Sequence, residues 1–441
     1  MLKYYLKTYG CQMNVADGEI VDAILLKSHF TKTDDIDIAD VILFNTCAIR
    51  DKAEKTLLYK LDYITGLKRR HVKKKIIIGI LGCMAQKQKE VLLQHPQVDF
   101  VIGPDEYRKI TDIIDDIIKN GIKVNATTLS LCETYGDISP HYKTGVTAYI
   151  PISRGCDNFC AYCIVPYTRG RERSRDINSI LREVKVLQQQ NFKDITLLGQ
   201  NVNGYKYEDY DFAKLLESVA LAAPNIRIRF LSSHPKYFNS DIVKTIKRYK
   251  NICKYIHLPV QSGSNRILKI MNRNYTREQY LEQIHMIRDI LGQDVAISTD
   301  IMCGFCGEND DDHKDTLSLM EEVKFDYSFT FAYSERQGTY ASKTLKDDVD
   351  KKTKIQRLNE IIKLQCQHSL EKYKKCIGKT YEVLVEKKSK RDQEEWTGRI
   401  DSYKVVVFKN NIHNTQQIKI GDIVNVKIKS CSSATLKGEM V

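Results

Sequence analysis

A short segment near the middle of the chain carries three closely spaced cysteines. Cys156, Cys160 and Cys163 form a Cys-x3-Cys-x2-Cys loop directly after a predicted strand. Three thiolates in so short a loop repel one another and need a cation, for which zinc and an iron–sulfur cluster are the candidates. A structural zinc site normally takes four protein ligands, and no fourth Cys or His lies nearby in the sequence. Three ligands suit a 4Fe-4S cluster with one open iron, which is free to bind and activate another molecule.

Three further cysteines, Cys11, Cys47 and Cys83, each follow a predicted strand in the first part of the chain. The strands are predicted over 3–9, 41–44 and 75–81, with helices between them over 17–28 and 51–67. Strands that alternate with helices predict a parallel sheet, and the loops after parallel strands gather at its carboxyl edge. The three cysteines are therefore expected to be adjacent in space. The alternative is that each is a small buried residue at the end of a strand.

A second run of strands follows a polar stretch. Six strands are predicted with helical patterns between them, at 148–152, 195–198, 228–231, 255–258, 295–301 and 328–333. Polar or glycine-bearing clusters follow every one of these strands. Functional groups at the carboxyl ends of successive β/α units are typical of a TIM-type barrel, here of six units rather than eight. The predicted fold class is therefore α/β multidomain, with a parallel α/β amino-terminal domain followed by a partial (β/α)6 TIM-type barrel.

The end of the chain changes character after a Lys-rich helix predicted over 351–375. The apolar positions of that helix are Ile355, Leu358, Ile361, Ile362 and Leu364. Short strands divided by turn signals then follow at 381–385, 405–408 and 423–428, and they indicate a small β-barrel. Residues 378–441 hold 12 Lys and Arg against 8 Asp and Glu. A small basic barrel favours RNA as its partner, and a passive structural appendage is the alternative.

The composition limits the class of protein. The 441 residues are enough for about three domains. No run approaches the roughly 18 apolar residues of a membrane span, and the N-terminus lacks signal-peptide features, so we expect a cytoplasmic chain without a membrane partner. The 13 cysteines, an odd number, then indicate metal or redox chemistry rather than disulfides. The net charge of +13 fits either a polyanionic partner or a solvated lysine-rich surface.

These patterns divide the chain into four parts. We predict an amino-terminal domain over 1–130, a linker over 131–145, a barrel domain over 146–376 and a small carboxy-terminal β-barrel over 377–441. The first boundary rests on the polar stretch, and the last on the change from helical to short-strand pattern.

The cysteine loop and the six-unit barrel resemble those of the radical S-adenosylmethionine (SAM) enzymes. The resemblance implies that an open iron chelates the amino and carboxylate groups of SAM and reduces its sulfonium, which releases a 5′-deoxyadenosyl radical. The barrel mouth would shield that radical from water.

The first part of the chain narrows the resemblance. Residues 8–14, 45–54 and 82–86, each containing one of the strand-end cysteines, are similar to the amino-terminal domain of the radical SAM methylthiotransferases. The resemblance implies that Cys11, Cys47 and Cys83 hold a second 4Fe-4S cluster, whose open iron carries the sulfur to be inserted. The carboxy-terminal barrel resembles the TRAM RNA-binding domain of the same enzymes, so the resemblance covers essentially the whole chain.

The residues after the first two cysteines indicate a substrate. The Gln12-Met13-Asn14 and Ala48-Ile49-Arg50 contexts resemble the methylthiotransferase type that adds a methylthio group to C2 of N6-isopentenyladenosine beside the tRNA anticodon. The alternatives are threonylcarbamoyl-adenosine in tRNA or a ribosomal protein as substrate, and, from another class, a non-enzymatic iron–sulfur RNA-binding protein. The main hypothesis implies tRNA and a reducing protein such as flavodoxin or ferredoxin as partners, with the chain acting as a monomer.

The resemblance also implies contacts with SAM around the barrel mouth. The aromatic residue between the cluster ligands, Tyr162, resembles the one whose backbone meets the adenine. The methionyl and ribose contacts would come from Gln200, Asn201, Ser233, Gln261 and the segment from Asp300 to Gly304. The alternative for each of these residues is a strand-end cap or a turn residue.

Two further groups lie near the predicted mouth. A charged loop after the three cysteines contains Arg169, Arg171, Arg173 and Arg175. It either holds carboxylate or phosphate groups bidentately or forms a solvated rim. Cys303 and Cys306 are interpreted as a buried strand cysteine and a turn cysteine rather than as a redox or metal pair.

Overall fold

The structure, a computed structural model, describes residues 1–48, 51–70, 76–142, 145–410 and 418–441, and the side chains of 51–55 and 67–70 are not described. The Ile49-Arg50 pair of the second cysteine motif, and Lys75 at the start of the third predicted strand, lie outside the described residues. No helix among those described is both long and apolar enough to cross a bilayer.

Six described strands of the amino-terminal part form one parallel sheet in the order β2-β1-β3-β4-β5-β6. The strands are β1 (Lys3–Tyr9), β2 (Thr31–Lys32), β3 (Val41–Thr46), β4 (Ile77–Leu81), β5 (Phe100–Ile102) and β6 (Val124–Ala126), and the helices are α1 (Gln12–Lys27), α2 (Asp51–Arg70), α3 (Cys83–Gln94) and α4 (Ile110–Asn120). Every residue of β3 and β4 is buried, as expected for central parallel strands covered on both faces. The predicted parallel sheet is confirmed, whereas β5 and β6 were not predicted because three-residue strands leave little periodicity.

The next part of the chain is the partial barrel. Its strands and the short hairpins at its rim are β7 (Thr147–Pro151), β8 (Ser153–Arg154), β9 (Arg173–Ser174), β10 (Asp194–Leu198), β11 (Lys206–Tyr207), β12 (Tyr210–Asp211), β13 (Arg227–Phe230), β14 (Tyr255–His257), β15 (Ala296–Cys303) and β16 (Tyr327–Ala332). Its helices are α5 (Val165–Arg169), α6 (Ile177–Gln189), α7 (Phe212–Ala222), α8 (Ser240–Arg248), α9 (Asn265–Ile270), α10 (Arg277–Leu291), α11 (Asp310–Val323), α12 (Tyr340–Thr344) and α13 (Lys351–Lys374).

The six barrel strands lie side by side in chain order. They form two parallel three-stranded sheets, β13-β10-β7 and β14-β15-β16, which a single bridge between Ile228 and Ile252 links. All six strands agree with the predicted units, so the partial barrel is confirmed. Several helices start at side-chain caps in the loops after the strands: Asp176, Asp211, Asn239, Thr276 and Asn309 each accept backbone N–H bonds. These caps fix the residue at which each of these helices begins.

Helix α13 corrects one prediction. Of the apolar positions assigned to its buried face, Ile361 is fully buried, but Ile355 and Ile362 are 47% and 42% exposed. The buried face is instead largely polar, and Arg357 lies on it with its guanidinium 2.9 Å from the carboxylate of Glu308. That partner is 49 residues away in sequence, so helical periodicity alone did not reveal that a charged face is the buried one.

The carboxy-terminal part is a closed barrel, ordered β17-β18-β19-β21-β20. Its strands are β17 (Thr380–Lys388), β18 (Glu395–Arg399), β19 (Val405–Lys409), β20 (Ile423–Cys431) and β21 (Leu436–Met440). The small β-barrel is confirmed. Strands β18 and β21 were not predicted, because EWTGR and LKGEM lack the apolar alternation that marks a half-buried strand.

The carboxy-terminal barrel is docked on the amino ends of the larger barrel's strands. Arg227 and Arg229, at the start of β13, donate hydrogen bonds to its backbone. The acceptors are the carbonyl oxygens of Glu382, Arg399, Ile400 and Asp401. Tyr403 stacks on Tyr255 with ring centroids 4.8 Å apart. The small barrel therefore lies at the end of the larger barrel opposite to the mouth, and bonds from the two guanidinium groups to backbone carbonyls hold it there.

Candidate functional site

The loop that carries Cys156, Cys160 and Cys163, here called the loop site, starts at a glycine where a side chain has no room. Gly155 has φ of +79°, and a Cβ at this position would lie 1.9 Å from the carbonyl oxygen of Arg171. The antiparallel pairing of β8 with β9, and a 3.1 Å hydrogen bond from the Cys156 N–H to the Gly170 oxygen, close the loop on itself. The three cysteines are thus held in a compact loop at the carboxyl end of the first barrel strand.

Hydrogen-bond donors lie beside the first and last sulfurs of the loop site. Asn158 Nδ2 lies 3.4 Å from Cys156 Sγ, and the backbone nitrogen of Val165 lies 3.4 Å from Cys163 Sγ. Donors aimed at sulfur favour the thiolate over the thiol. Because the thiolate is the form that binds a metal, these contacts prepare the sulfurs for ligation.

An arginine that sequence reasoning missed lies against the second cysteine. Arg273 Nη1 is 3.3 Å from Cys160 Sγ, and Arg273 Nη2 donates to the Pro259 carbonyl at 2.9 Å. Arg273 is only 4% exposed, so a full positive charge is buried beside the loop site. Its partner is 113 residues away, and nothing in the surrounding sequence indicates this contact.

The thiols of the loop site oppose one another's ionisation. Burial raises the pKa of Cys156 to about 11. Burial also raises the pKa of Cys163, and the charge of Cys160 adds to that rise. The sulfurs therefore lie close enough to repel as thiolates, which is the condition that a bound cationic centre relieves.

Iron–sulfur ligation fits this donor set better than a single ion does. In the described residues, no group of three His, Cys, Asp or Glu side chains converges on one point where a single metal ion would lie. Zinc requires such convergence, with four ligands around one ion. The cysteine ligands of a four-iron cluster bind different irons, so three sulfurs in one loop suffice without a common centre.

The structure brings the other three cysteines together, and they are here called the strand-end site. Cys11 caps α1, Cys47 follows β3 and Cys83 is the first residue of α3. A hydrogen bond between the Cys11 and Cys47 thiols is the main cause that lowers the pKa of Cys11 to about 6. Burial raises the pKa of Cys83, and the charge of Cys11 adds to that rise. These mutual effects place all three thiols within one electrostatic environment at the carboxyl edge of the sheet.

Two asparagines lock the loops of the strand-end site. Asn14 Nδ2 donates to Asn45 Oδ1 at 3.0 Å, and Asn45 Nδ2 donates to the Asn14 carbonyl at 2.8 Å. Gly82, with φ of +87°, packs against them, because a Cβ at this position would lie 2.5 Å from Asn45 Oδ1. All three residues belong to the motifs that carry the cysteines, which explains why those motifs extend beyond the cysteines themselves.

Two arginines of the larger barrel reach across to the strand-end site. Arg169 Nη2 lies 2.8 Å from Asp17 Oδ2, and Arg154 Nη2 lies 2.7 Å from Asp17 Oδ1. Arg169 Nε lies 3.1 Å from Cys83 Sγ. All four side chains are buried, so charged side chains that are shielded from water join the larger barrel to the strand-end site.

The arginine loop mainly binds carboxylates. Arg169, Arg173 and Arg175 are 3%, 7% and 4% exposed. Their partners are the carboxylates of Asp17, Asp105 and Glu183. The solvated-rim interpretation is wrong for these three residues and holds for Arg171 alone, whose side chain is 62% exposed.

Three of the predicted SAM contacts line the rim beside the loop site. Gln200 Oε1 accepts from the Gly155 N–H at 2.6 Å, and Asn201 Nδ2 donates to Glu172 at 3.1 Å. Asn201 Oδ1 and Ser233 Oγ are buried, and neither has a hydrogen-bond partner among the described residues. Because an unpaired buried polar atom is costly, these two atoms mark where a polar ligand would be held.

The remaining predicted SAM contacts are spread further around the barrel. Asp300 Oδ1 lies 3.4 Å from His257 Nε2, and Gln261 pairs with the end of β15 through its backbone. The Tyr162 ring packs edge-on against Phe305, with centroids 6.2 Å apart.

Gly304 is required by helix packing. A Cβ at this position would lie 2.4 Å from Cγ of Lys354 on α13, so this glycine faces the helix layer. The neighbouring Cys303 and Cys306 are 2% and 4% exposed, as expected for packing residues.

Glu172 is a rim residue that sequence reasoning missed. Burial raises its pKa to about 7, against a hydrogen bond from Asn201 that lowers it. The carboxyl therefore changes charge near neutral pH at the edge of the mouth. Glu172 lies within the arginine loop. Sequence reasoning about that loop considered only its four arginines.

Three family descriptions match this chain. The radical SAM superfamily matches residues 150–320, the uncharacterized protein family UPF0004 matches residues 3–103, and the TRAM domain matches residues 374–441. The first match covers most of the partial barrel, the second most of the parallel sheet, and the third all five strands of the closed barrel.

Similar curated proteins extend over the full chain. A protein of Bacteroides fragilis named tRNA-2-methylthio-N(6)-dimethylallyladenosine synthase is 49% identical over 446 residues, which cover 100% of this chain and 96% of that protein. A protein of the same name from Porphyromonas gingivalis is 48% identical, with 100% of this chain and 95% of that protein covered.

Solved structures share the fold at low sequence identity. The radical SAM methyltransferase TsrM from Kitasatospora setae matches with a TM-score of 0.59 and 12% identity, over 77% of this chain and 74% of that chain. The cobalamin-dependent SAM radical enzyme OxsB matches with a TM-score of 0.54 and 13% identity, over 83% of this chain and 56% of that chain. At this level of identity the likenesses show a shared fold.

Proposed function

Because the chain belongs to the tRNA-2-methylthio-N6-dimethylallyladenosine synthase family of radical SAM enzymes, we propose that it transfers a methylthio group to C2 of N6-isopentenyladenosine beside the tRNA anticodon. SAM serves both as methyl donor and as radical source in this proposal. The observation that carries it is the full-length similarity, since one set of relatives matches the sheet, the barrel and the TRAM barrel together. The alternatives, another tRNA adenosine or a ribosomal protein as substrate and a non-enzymatic RNA-binding protein, have no comparable support.

We assign a 4Fe-4S cluster to the loop site, held by Cys156, Cys160 and Cys163. When bound there, the cluster supplies the electron that splits SAM reductively. The chain's own contribution is to bury the thiols, to place hydrogen-bond donors on their sulfurs and to hold Arg273 beside Cys160. A buried cation near the sulfurs offsets negative charge that would otherwise be costly in a dry site.

The rim residues fit a polar cofactor. Ser233 Oγ and Asn201 Oδ1 each lack a partner in the described part of the chain, and SAM offers amino, carboxylate and ribose groups that would satisfy them. Gln200 fixes the first residue of the cysteine loop through the Gly155 N–H. In this proposal, neighbouring rim side chains divide the work: Gln200 orders the cysteine loop, and Asn201 and Ser233 bind the cofactor.

We assign a second 4Fe-4S cluster to the strand-end site, held by Cys11, Cys47 and Cys83. When bound there, it supplies an open iron for the sulfur that is to be inserted. The lowered pKa of Cys11 and the guanidinium of Arg169 on Cys83 support thiolate ligation at this site.

The proposed partners of this chain follow from its basic residues and from its tRNA substrate. The carboxy-terminal barrel with its excess of Lys and Arg, and Arg171 on the rim, are suited to contact tRNA phosphates. A reducing protein such as flavodoxin or ferredoxin would supply electrons from outside the chain. We further propose that the enzyme acts as a monomer in the cytoplasm, where its tRNA substrate is found.

Mass spectrometry of tRNA nucleosides tests the proposed function. Cells that lack the gene should accumulate N6-isopentenyladenosine and lose its 2-methylthio derivative, and the wild-type gene should restore the derivative. A matched strain that expresses the Cys47→Ala variant controls for the presence of the protein. Loss of methylthio-threonylcarbamoyl-adenosine instead, with the isopentenyl derivative intact, would overturn the substrate assignment.

A further inference from the structure

The strand-end site contains two buried guanidinium groups that share one carboxylate. Arg154, Arg169 and Asp17 have side chains that are 2%, 4% and 0% exposed. Asp17 is the direct ion-pair partner of both arginines, and the sulfurs of Cys11 and Cys83 also interact with the charge of Arg169. A buried cation is strongly unfavourable unless anionic groups lie against it.

The unpaired atoms of this group show where the compensating charge belongs. Arg169 Nε already lies 3.1 Å from Cys83 Sγ, and Arg169 Nη2 lies on Asp17. Arg169 Nη1 is buried and has no hydrogen-bond partner among the described residues. The guanidinium therefore already bonds to one cysteine sulfur. Its unpaired buried N–H can donate to one more acceptor at the same site.

The guanidinium is supplied from a different part of the fold. Cys83 opens α3 of the amino-terminal sheet, whereas Arg169 ends α5, the helix that directly follows the loop site. Asp17 fixes this arrangement, because its carboxylate also accepts from the Tyr107 hydroxyl at 3.3 Å within the amino-terminal part. The contact to the sulfur therefore exists only while the sheet and the barrel are docked.

We propose that Arg169 is a positioning residue of the strand-end site: held by Asp17, it binds the Cys83 sulfur from outside the ligand set and stabilises the anionic cluster–thiolate assembly. The proposal rests on the proposed function, in that it requires a cluster at Cys11, Cys47 and Cys83. It goes beyond the ligand assignment, because it makes the retention and the reduction potential of that cluster depend on a residue of the radical SAM barrel.

Two physical effects follow from a guanidinium on a ligand sulfur. Hydrogen bonds to the sulfurs and positive charge near a cluster raise its reduction potential, because the reduced form carries one more negative charge. Outer contacts that orient a ligand also typically change metal affinity by about 10–100-fold when they are removed. Both effects are measurable without turnover.

The test uses the full chain with Cys156→Ala, Cys160→Ala and Cys163→Ala as the parent, so that only the strand-end site binds iron. Arg169→Gln removes the charge. Arg169→Lys keeps the charge but loses the planar guanidinium that donates to two partners at once. Arg182→Gln is the control, since Arg182 lies on α6 of the same barrel with its side chain 67% exposed. The readouts are iron release to a chelator, the electron paramagnetic resonance spectrum of the reduced protein, its midpoint potential and its melting temperature.

We expect Arg169→Gln to release iron about 10–100-fold faster than the parent, with a changed spectrum and a more negative potential. Arg169→Lys should recover the potential and show an intermediate release rate, and Arg182→Gln should match the parent. A purely structural role would lower the melting temperature but leave the potential of the bound cluster unchanged.

Each contrary outcome has a distinct meaning. A parent that binds no iron overturns the strand-end cluster and this inference together. A parent that binds iron, with Arg169→Gln matching it in release rate, spectrum and potential, overturns the inference alone. If Arg169→Gln fails to fold, Arg169→Lys decides, and a release rate equal to the parent's would overturn the proposal.

Discussion

The two cysteine sites are built in opposite ways. The loop site takes three sulfurs from one eight-residue loop, with its ends closed by β8, β9 and Gly155. The strand-end site takes its sulfurs from three loops of a parallel sheet and receives Arg169 from the larger barrel. A local loop requires only its own closure, whereas a site assembled from distant segments requires the whole sheet and its neighbour to be in place.

The two sites also differ in the pKa of the first cysteine of each. Burial raises the pKa of Cys156 to about 11, but a hydrogen bond with Cys47 lowers the pKa of Cys11 to about 6. Burial raises the pKa of Cys83 in the strand-end site as well. Cys11 is therefore favoured as a thiolate before a metal binds, whereas Cys83 and Cys156 depend more on the metal itself to lose their protons.

The largest effect is expected when the three cysteines of the loop site are removed. Combined Cys156→Ala, Cys160→Ala and Cys163→Ala should abolish formation of 5′-deoxyadenosine from SAM and leave about half of the iron, because the strand-end ligands lie in another part of the fold. Anaerobic reconstitution, iron analysis and chromatography of the nucleoside products measure this. Reductive cleavage of SAM by the triple variant would disprove the assignment of the loop site.

Glycine substitutions should impair each site selectively. Gly155→Ala places a Cβ 1.9 Å from the Arg171 oxygen, and Gly82→Ala places one 2.5 Å from Asn45 Oδ1. Each forces a residue other than glycine into a positive-φ conformation at a cost of about 1–3 kcal/mol. We expect Gly155→Ala to lose loop-site iron and Gly82→Ala to lose strand-end iron, as resolved by electron paramagnetic resonance.

Gly121→Ala is the matched control for those two variants. Gly121 also has positive φ, but a Cβ at this position would have no described atom within 4 Å. It should therefore lose stability without losing iron from either site. Equal iron loss in all three variants would show that general destabilisation, and not the local loop geometry, controls cluster binding.

The smallest expected effect is a pH dependence at the rim of the loop site. Burial raises the pKa of Glu172 to about 7, so the folded state holds the proton more tightly than the unfolded chain does. Stability should then fall as pH rises from the unfolded pKa towards 7 and stay level above it, by on the order of 2 kcal/mol. Urea unfolding at pH 5 and pH 8 measures the fall, and Glu172→Gln should remove it. An unchanged pH dependence in that variant would assign the effect to other groups.

Sequence reasoning predicted where the cysteines of both sites lie, because each cysteine follows a strand signal that is local in the sequence. Spacing alone identified the loop site, and the recurrence of a cysteine after each strand identified the strand-end site. The same reasoning missed the long-range contacts of each site, since the bond from Arg169 to Asp17 spans 152 residues and the bond from Arg273 to Cys160 spans 113. Such pairs depend on how two parts of the fold dock, which periodicity does not describe.

Buried charge explains both the exposed apolar positions of α13 and the choice between the two interpretations of the arginine loop. The exposed positions of Ile355 and Ile362 on α13, and the buried guanidinium groups of Arg173 and Arg175, reverse the usual rule that charge faces water. Carboxylates that are remote in sequence neutralise Arg173, through Asp105, and Arg357 of α13, through Glu308. Arg175 differs, because its partner Glu183 lies on the following helix, α6, close by in sequence.

The central claim is that the two sites perform separate steps, and the Cys47→Ala variant tests it most directly. Its 5′-deoxyadenosine and 2-methylthio-N6-isopentenyladenosine should be measured in one anaerobic assay with tRNA, SAM and reductant, after iron analysis confirms loss of one cluster. The account predicts that 5′-deoxyadenosine still forms while the methylthio product is absent. Methylthio product at the wild-type yield would contradict it, because the inserted sulfur would then not depend on the strand-end site.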